Sequence, residues 1–300
     1  MRVAICIITR RRPEGVARLL ASLEEISVPE GVEVEIVLVE NDDPSDIPPP
    51  TSTLPLQRSF EAEPGIPAAR NRSLEIALSN AGTTHVAFLD DDETVDPAWL
   101  LELHRGRERF GTPVVTGPAL PGFPSDAPAW PERSGVYLPP RYPTGTRRPW
   151  AFTHNALVDA EVLRETGFRF EESMRHGGGS DKEFFRRLVD AGHDITWIDE
   201  AVAHEWYPTS RLTHGWVFRR SYRLGTNAPI AEGRNSPGER AALLGRAVRF
   251  GARGVLRSLA SIGRPADALA RAAWDLGRAA GLVAGVLGRR YDEYAERHRD

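Results

Sequence analysis

The chain of 300 residues is 41% hydrophobic and 27% charged with a net charge of −4, the make-up of a globular protein of one large α/β domain plus an appendage, or of two domains. That charge excludes a general nucleic-acid binder, which carries a basic footprint; the one cysteine, Cys6, excludes a disulfide framework and fits a reducing compartment. No apolar run approaches the ~20 residues that span a bilayer, and residues 1–9 read as a strand rather than a leader, so a cytoplasmic protein is expected.

Residues 3–8 (VAICII) are a continuous β-branched run, the signature of a buried strand, ended by Thr9-Arg10-Arg11-Arg12-Pro13. Val16, Leu19, Leu20 and Leu23 recur at helical spacing and predict a helix over 13–25. A second buried strand, 34–39, ends in Glu40-Asn41-Asp42-Asp43-Pro44. Residues 48–55 are a Pro-rich loop, 56–60 a short strand, 63–67 a turn, and 68–80 a helix opening with Arg70-Asn71-Arg72. A third buried strand, 84–89, delivers Asp90, Asp91, Asp92 and Glu93, and a helix over 97–110 follows. Buried strands alternating with helices predict a mostly parallel, doubly wound sheet. Its ligands bind beyond the C-terminal strand ends, where Thr9, Glu40-Asn41 and the three aspartates all fall.

Carboxylates this close raise each other's pKa unless a cation sits among them. In an extended chain Asp90 and Asp92 face one side and can share an ion. Oxygen ligands suit Mg²⁺ or Mn²⁺, which keep positions open for substrate phosphates. The competing reading is a solvated acidic turn leading into the next helix. That helix already has a start signal in Asp96 as N-cap and Pro97 at its first position, which leaves Asp90, Asp91 and Asp92 unexplained.

Residues 118–149 are dense in Pro and Gly, with Phe123, Trp130, Tyr137 and Tyr142, and Trp150 follows. Such a segment is a functional loop whose rings stack on a sugar, or a cover for the sheet edge. A strand (151–158) and a short helix (160–166) come next. In Gly177-Gly178-Gly179-Ser180-Asp181, Ser180 and Glu183 form a capping box that starts a helix to about Ala191. Asp181 suits the helix dipole alone, but three preceding glycines also let backbone approach a ligand. A short strand over 195–198 precedes Ala203-His204-Glu205-Trp206, where His204 is either a third metal ligand or an ordinary hydrogen-bonded histidine. Helical residues 216–225 carry Arg219, Arg220 and Arg223, a diphosphate clamp or a solvated face.

Residues 239–300 hold 12 Arg against 7 Asp and Glu, a net +5 that leaves −9 on the rest of the chain. Arg246, Arg249, Arg253 and Arg257 recur at helical spacing beside Leu243, Val255, Leu256 and Leu259. A basic amphipathic helix pair suits an anionic membrane surface; the alternatives are packing on the rest of the chain or on a second copy in a homodimer. The expected division is therefore 1–235, with halves 1–117 and 118–235, and a helical appendage at 239–300.

Together these stretches resemble the family 2 glycosyltransferases of GT-A fold, and within them the branch of succinoglycan-type glucosyltransferases of bacterial exopolysaccharide assembly. The matching segments are ICIITRRRPEGVARLLASL, VLVENDDP, EPGIPAARNRSLEIA, VAFLDDDETVDPAWL, VVTGPALPGF, GGGSDKEFFRRL and AVAHEWYPTSRLTHGW, in order over residues 1–230. The resemblance implies a Rossmann-like nucleotide-sugar half and an acceptor half. It implies inverting transfer of a hexose from a nucleoside diphosphate sugar, UDP being the expected nucleotide, to a glycan or lipid-linked acceptor, with Mn²⁺ or Mg²⁺; the basic helices of 239–300 add the expectation of a cytoplasmic protein peripheral on the inner face of the cell membrane. On that pattern Thr9, Arg11, Glu40 and Asn41 hold the nucleotide, and Arg70 and Asn71 lie near nucleotide and sugar. Asp90, Asp91 and Asp92 are the DXD element, with Asp92 the direct metal ligand, Asp90 and His204 beside it, and Asp91 near the ribose. Asp181 is the general base; Trp206, His154 and Trp150 are acceptor-side candidates. Two positions depart from the family: Ser180 stands where an acid often precedes the base, and His154 where glycine is common. A catalytically idle nucleotide- or sugar-binding module is the alternative. A sugar nucleotidyltransferase is disfavoured because no Gly-rich phosphate loop follows the first strand, and a dinucleotide-binding module because no G-x-G-x-x-G does.

Overall fold

The computed structural model describes residues 1–43, 49–174, 179–231, 236–261 and 266–289. Pro48 of the expected loop, Gly177 and Gly178 of the glycine run, and residues 290–300 of the appendage lie outside them. Packing divides the chain into two units: Met1–Leu120, Pro139–Arg175 and Ser180–Trp206 form one, and Pro121–Leu138, His176–Gly179 and Tyr207–Asp300 the other. The segment after Trp206 thus groups with the C-terminal helices, whereas the sequence division fell at 235–239.

The first unit opens with β1 (Arg2–Thr9), α1 (Pro13–Leu23), β2 (Glu33–Glu40), β3 (Leu56–Phe60), α2 (Ile66–Ser79) and β4 (His85–Asp90). It continues through β5 (Glu93–Val95), α3 (Trp99–Phe110), β6 (Val114–Thr116) and β7 (Ala119–Gly122), along which the chain leaves for the second unit and its α4 (Trp130–Ser134). It resumes with β8 (Arg147–Arg148), β9 (Ala156–Asp159), α5 (Ala160–Thr166), α6 (Ser180–Asp190), β10 (Ile195–Trp197) and β11 (Ala203–Trp206). The large sheet runs β3-β2-β1-β4-β9-β6-β10-β8. Its first four strands are parallel, β9 is antiparallel to both neighbours, β10 is parallel to β6, and β8 closes the edge antiparallel. A small sheet runs β5-β11-β7.

β1 is apolar throughout because it faces two cores. Val3, Ile5 and Ile7 pack with Val16, Leu19, Leu20 and Leu23 of α1 and Trp99, Leu100 and Leu103 of α3. Ala4 and Cys6, on the opposite face, pack with Leu74 of α2, Leu163 of α5 and Phe184, Phe185 and Leu188 of α6. Burial pushes the Cys6 thiol up to about 12, so it stays protonated as a small apolar group. One buried amide fastens three further segments. Fully buried Asn155 accepts the Trp99 indole N–H at 2.8 Å and donates to the carbonyls of Pro118 (2.9 Å) and Ala201 (2.7 Å).

Several expected boundaries move. Helix α2 takes in Ile66 and Pro67, since proline is tolerated in a first turn where its missing N–H is not needed. Helix α3 begins at Trp99, and Asp96 does not cap it through its side chain: that carboxylate pairs with His204 at 2.8 Å, while its carbonyl accepts the Trp99 N–H. Ser180 is the first residue of α6, and Glu183 pairs with Arg187 one turn on (2.8 Å). Only the last part of the expected 151–158 strand is one, as β9.

The second unit is helical: α4, α7 (His214–Thr226), α8 (Ala228–Ala231), α9 (Pro237–Ala260) and α10 (Ala266–Val286). Thr213 caps α7 by accepting the Trp216 N–H, and Ser236 with Glu239 forms a capping box on α9. α10 lies flush on α7. A Cβ at Gly277, Gly281 or Gly285 would stand 2.4, 2.1 and 2.6 Å from the carbonyl oxygens of Phe218, Tyr222 and Thr226. Fully buried Asp275 of α10 is held by Arg253 and Arg257 of α9 (2.5 and 2.6 Å). Rings from the 121–138 segment pack here, with Tyr137 stacked on Trp216 at 5.7 Å and edge-on to Tyr207 at 4.9 Å.

Candidate functional site

Register places the C-terminal ends of three strands side by side: Thr9 is level with Glu40, and Ile8 with Asp90. The chain turns at Asp91 and Asp92 and returns as β5. The Thr9 hydroxyl donates to Asp91 Oδ2 at 2.7 Å. Arg12 donates to Asp91 Oδ1 at 2.8 Å and reaches Asp92 Oδ2 at 3.4 Å, and Arg70 reaches Asp90 Oδ1 at 3.1 Å. The cation that three adjacent carboxylates demand is thus supplied in part by two guanidinium groups of the chain itself. Burial pushes the Asp91 carboxyl above its ordinary range, against the pull of Arg12 and the Thr9 hydroxyl. Beneath the turn Glu93 accepts the Asp90 backbone N–H at 2.8 Å; burial first, then the Asp90 charge, drives its carboxyl well above the usual value.

Two contacts fix the turn from outside. α1 meets it through Gly15, where an added Cβ would stand 2.4 Å from the Asp91 carbonyl oxygen. Trp206, at the end of β11, donates its backbone N–H to the Asp92 carbonyl at 2.7 Å, and the Arg18 guanidinium lies 5.4 Å from its ring centre. Thr9, Arg70, Asp90, Asp91, Asp92 and Trp206 are therefore brought together.

The remaining candidates take other partners. Arg11, with φ of 54°, pairs with Asp42, whose carboxyl that hydrogen bond holds below its ordinary range. Glu40 is bonded by Arg58 of β3 at 2.7 Å. Asn41 shapes the loop before α2, donating to the carbonyls of Glu61 and Glu63 and accepting the Gly65 N–H. Asn71 clasps the segment before α6: its amide accepts the Phe170 N–H at 2.7 Å and donates to the Phe170 carbonyl and to Glu172. His204 pairs with Asp96, and among the described residues no group of three His, Cys, Asp or Glu is placed to hold a metal.

Asp181 stands half-buried in the first turn of α6, its carboxylate accepting the Lys182 N–H at 2.7 Å. A chain of rings connects that helix to the carboxylate strand. Phe184 stacks on Phe170 at 4.2 Å, Phe170 meets Phe88 of β4 edge-on, and Arg70 lies over Phe170 at 5.6 Å. Lys182 sets its ammonium 4.1 Å from the Trp150 ring centre, which brings one acceptor-side candidate beside Asp181. His154 stacks on Phe152 at 5.1 Å. Arg58 escaped the sequence reading, and Arg12 and Glu93 were read there without being made site candidates. Arg12 carried a signal there, as the last cation before Pro13 on the loop after the first strand.

Residues 4–165 match the family model described as Glycosyl transferase family 2. Over 233 residues the chain is 32% identical to the succinoglycan biosynthesis protein ExoM of Rhizobium meliloti (strain 1021), covering 75% of this chain and 73% of that one. Among solved structures it resembles the mannosyltransferase PcManGT from Pyrobaculum calidifontis, in complex with GDP-Man and Mn²⁺, with TM-score 0.61 and 17% identity over 96% of this chain and 88% of that one. It also resembles S. aureus TarS 1-349, with TM-score 0.50 and 13% identity over 97% and 93%. These likenesses place the fold in the GT-A class.

Proposed function

The chain belongs to glycosyl transferase family 2 and is a glycosyltransferase, and from that premise we propose that it moves a hexose from a UDP-sugar to a glycan or lipid-linked acceptor, with inversion. The observation that carries this reading is the carboxylate turn at the end of β4, bonded to Thr9 and Arg12 at the C-terminal edge of the parallel strands. A relative in succinoglycan biosynthesis and a neighbour carrying GDP-Man support a sugar-nucleotide donor for a growing glycan.

Asp92 and Asp90 are the residues that would hold a divalent ion. They fit an ion that takes one or two carboxylates from the protein and the rest of its shell from phosphate and water, rather than one caged by three side chains. Such an ion, when bound, neutralises the diphosphate leaving group. Thr9 and Asp91 hold the nucleotide edge, and Arg12 and Arg70 add positive charge there. Asp181 takes the proton from the acceptor hydroxyl as that oxygen attacks the anomeric carbon and the nucleoside diphosphate departs from the opposite face. Trp150, beside Lys182, supplies a ring for the acceptor and helps exclude water.

Calorimetric titration with UDP, GDP and dTDP, each with Mn²⁺ and again with EDTA, tests the donor site. UDP is expected to bind in Mn²⁺ and to weaken by roughly tenfold or more in EDTA. Binding of GDP alone would keep the site and change the base. No binding of any nucleotide to the folded chain would overturn the reading.

A further inference from the structure

We propose that the outer face of α9, together with the groove between α9 and α10, is a docking surface for an anionic lipid bilayer. Leu244, Val248, Val255 and Leu259 are spaced four, seven and four residues apart and so fall on one side of α9. They do not face the core: Val248 is 72% exposed, Leu259 61%, and Leu256, beside the stripe, 66%. The side of α9 that does pack is a different one, formed by Leu243, Ala247 and Gly254. Next to the stripe lies a groove of about 540 Å³ lined by Leu244, Val248, Val283 and Leu287 with Arg289, and Leu287 is itself 72% exposed. The apolar surface is thus continuous from one helix to the other.

Cations border it. At 100° per residue Arg249 falls beside Leu256, and Arg240 falls on the other flank of Leu244. α9 carries five arginines against one glutamate, and the Asp275 carboxylate of α10 answers two of them, Arg253 and Arg257. An exposed apolar stripe edged by arginine is what a helix lying in a membrane interface presents: its apolar side chains enter the acyl boundary and its guanidinium groups meet phosphate. No described helix is long and apolar enough to cross a membrane, so this surface lies on the bilayer. Charge also decides between lipid and a second copy. A closed dimer uses the same patch on both partners, which would bring these arginine borders face to face, whereas anionic headgroups complement them.

This proposal does not depend on the glycosyl-transfer reading. It is tested by co-sedimentation of the full chain with vesicles of phosphatidylcholine alone or mixed with phosphatidylglycerol, at low and high salt. The chain is expected to partition onto the mixed vesicles at low salt, roughly tenfold less onto phosphatidylcholine alone, and to dissociate as salt rises. Val248→Ser combined with Leu256→Ser is expected to reduce partitioning by roughly tenfold or more, because both side chains enter the lipid. Arg249→Glu is expected to reduce it and flatten the salt dependence. All three positions are exposed, so the circular dichroism spectrum and Tm stay at the wild-type values, and so does nucleotide affinity, whether or not that site binds UDP. Equal partitioning of wild type and variants, no binding to the mixed vesicles, or a wild-type dimer that the same substitutions dissociate would each overturn the assignment.

Discussion

In the sheet unit Val3, Ile5, Ile7, Ile36 and Leu38 are wholly buried and what stands at the strand ends is charge, whereas the helical unit leaves Val248 and Leu287 72% exposed and buries a carboxylate, Asp275, in its interior. The first arrangement suits a small polar ligand held at one edge: a rigid apolar support presents a few carboxylates, hydroxyls and guanidinium groups. The second suits a broad partner, since it offers area and border charge but no set of convergent groups. Helices also associate differently in the two units. In the sheet unit side chains fill the space between layers; between α7 and α10 glycine removes the side chains and lets backbones meet. On the two proposals made above, chemistry and attachment fall to separate parts of one chain.

The comparison is sharpest if each unit responds to its own substitutions alone. The largest effect is expected from Asp181→Asn, which should lower kcat by about 10³-fold with nucleotide affinity unchanged by calorimetry; equal loss of both would make Asp181 a structural residue. Next is Asp92→Ala, expected to bring nucleotide affinity in Mn²⁺ down to its value in EDTA, roughly tenfold or more weaker, without moving the Tm. In the helical unit Gly281→Val should cost about 1–3 kcal/mol by forcing α10 off α7, read as a lower Tm, while nucleotide affinity holds. A loss of nucleotide binding there would break the separation.

The smallest effect concerns Asp159 of β9. Burial pushes its carboxyl up, but hydrogen bonds from His85 and Arg107 outweigh that and hold it below its ordinary value. A depressed carboxyl contributes stability above its unfolded pKa of about 4 and loses it as pH falls through the folded value. Arg107→Ala is therefore expected to lower stability by about 1 kcal/mol near pH 7, the figure being modest because the guanidinium is partly exposed, and the difference from wild type should shrink as the pH falls through the depressed folded value of Asp159. Denaturant melts across that range check it.

The strands were legible because β1, β4 and the second half of β2 are buried on both faces, which makes those stretches apolar without interruption. The carboxylate turn was legible because nothing local accounts for Asp90, Asp91 and Asp92 in a row. Long-range pairing was not. Asp96 reads as a helix cap because capping is a matter of three residues, yet its partner is His204, 108 residues away. Glu40 and Asn41 were placed at the correct strand end, but their hydrogen bonds go to Arg58 and the 61–65 loop, contacts that only the β2–β3 register creates. Gly277, Gly281 and Gly285 carry a helical period of four, but glycine has no hydrophobicity for a periodicity reading to detect.

Asn155 has a consequence for the order in which the sheet unit assembles. Its three hydrogen bonds close stretches of 56, 37 and 46 residues, and each is made only when α3, the start of β7 and the approach to β11 have arrived around it. Contacts that close loops of this length form after the local helices, because the entropy of closure must be met before they can reward it. Asn155 therefore ties together segments that the helices by themselves leave apart, and three closures depend on its one amide. Asn155→Ala is therefore expected to shorten the lifetime of the folded sheet unit, read as a faster unfolding rate in denaturant.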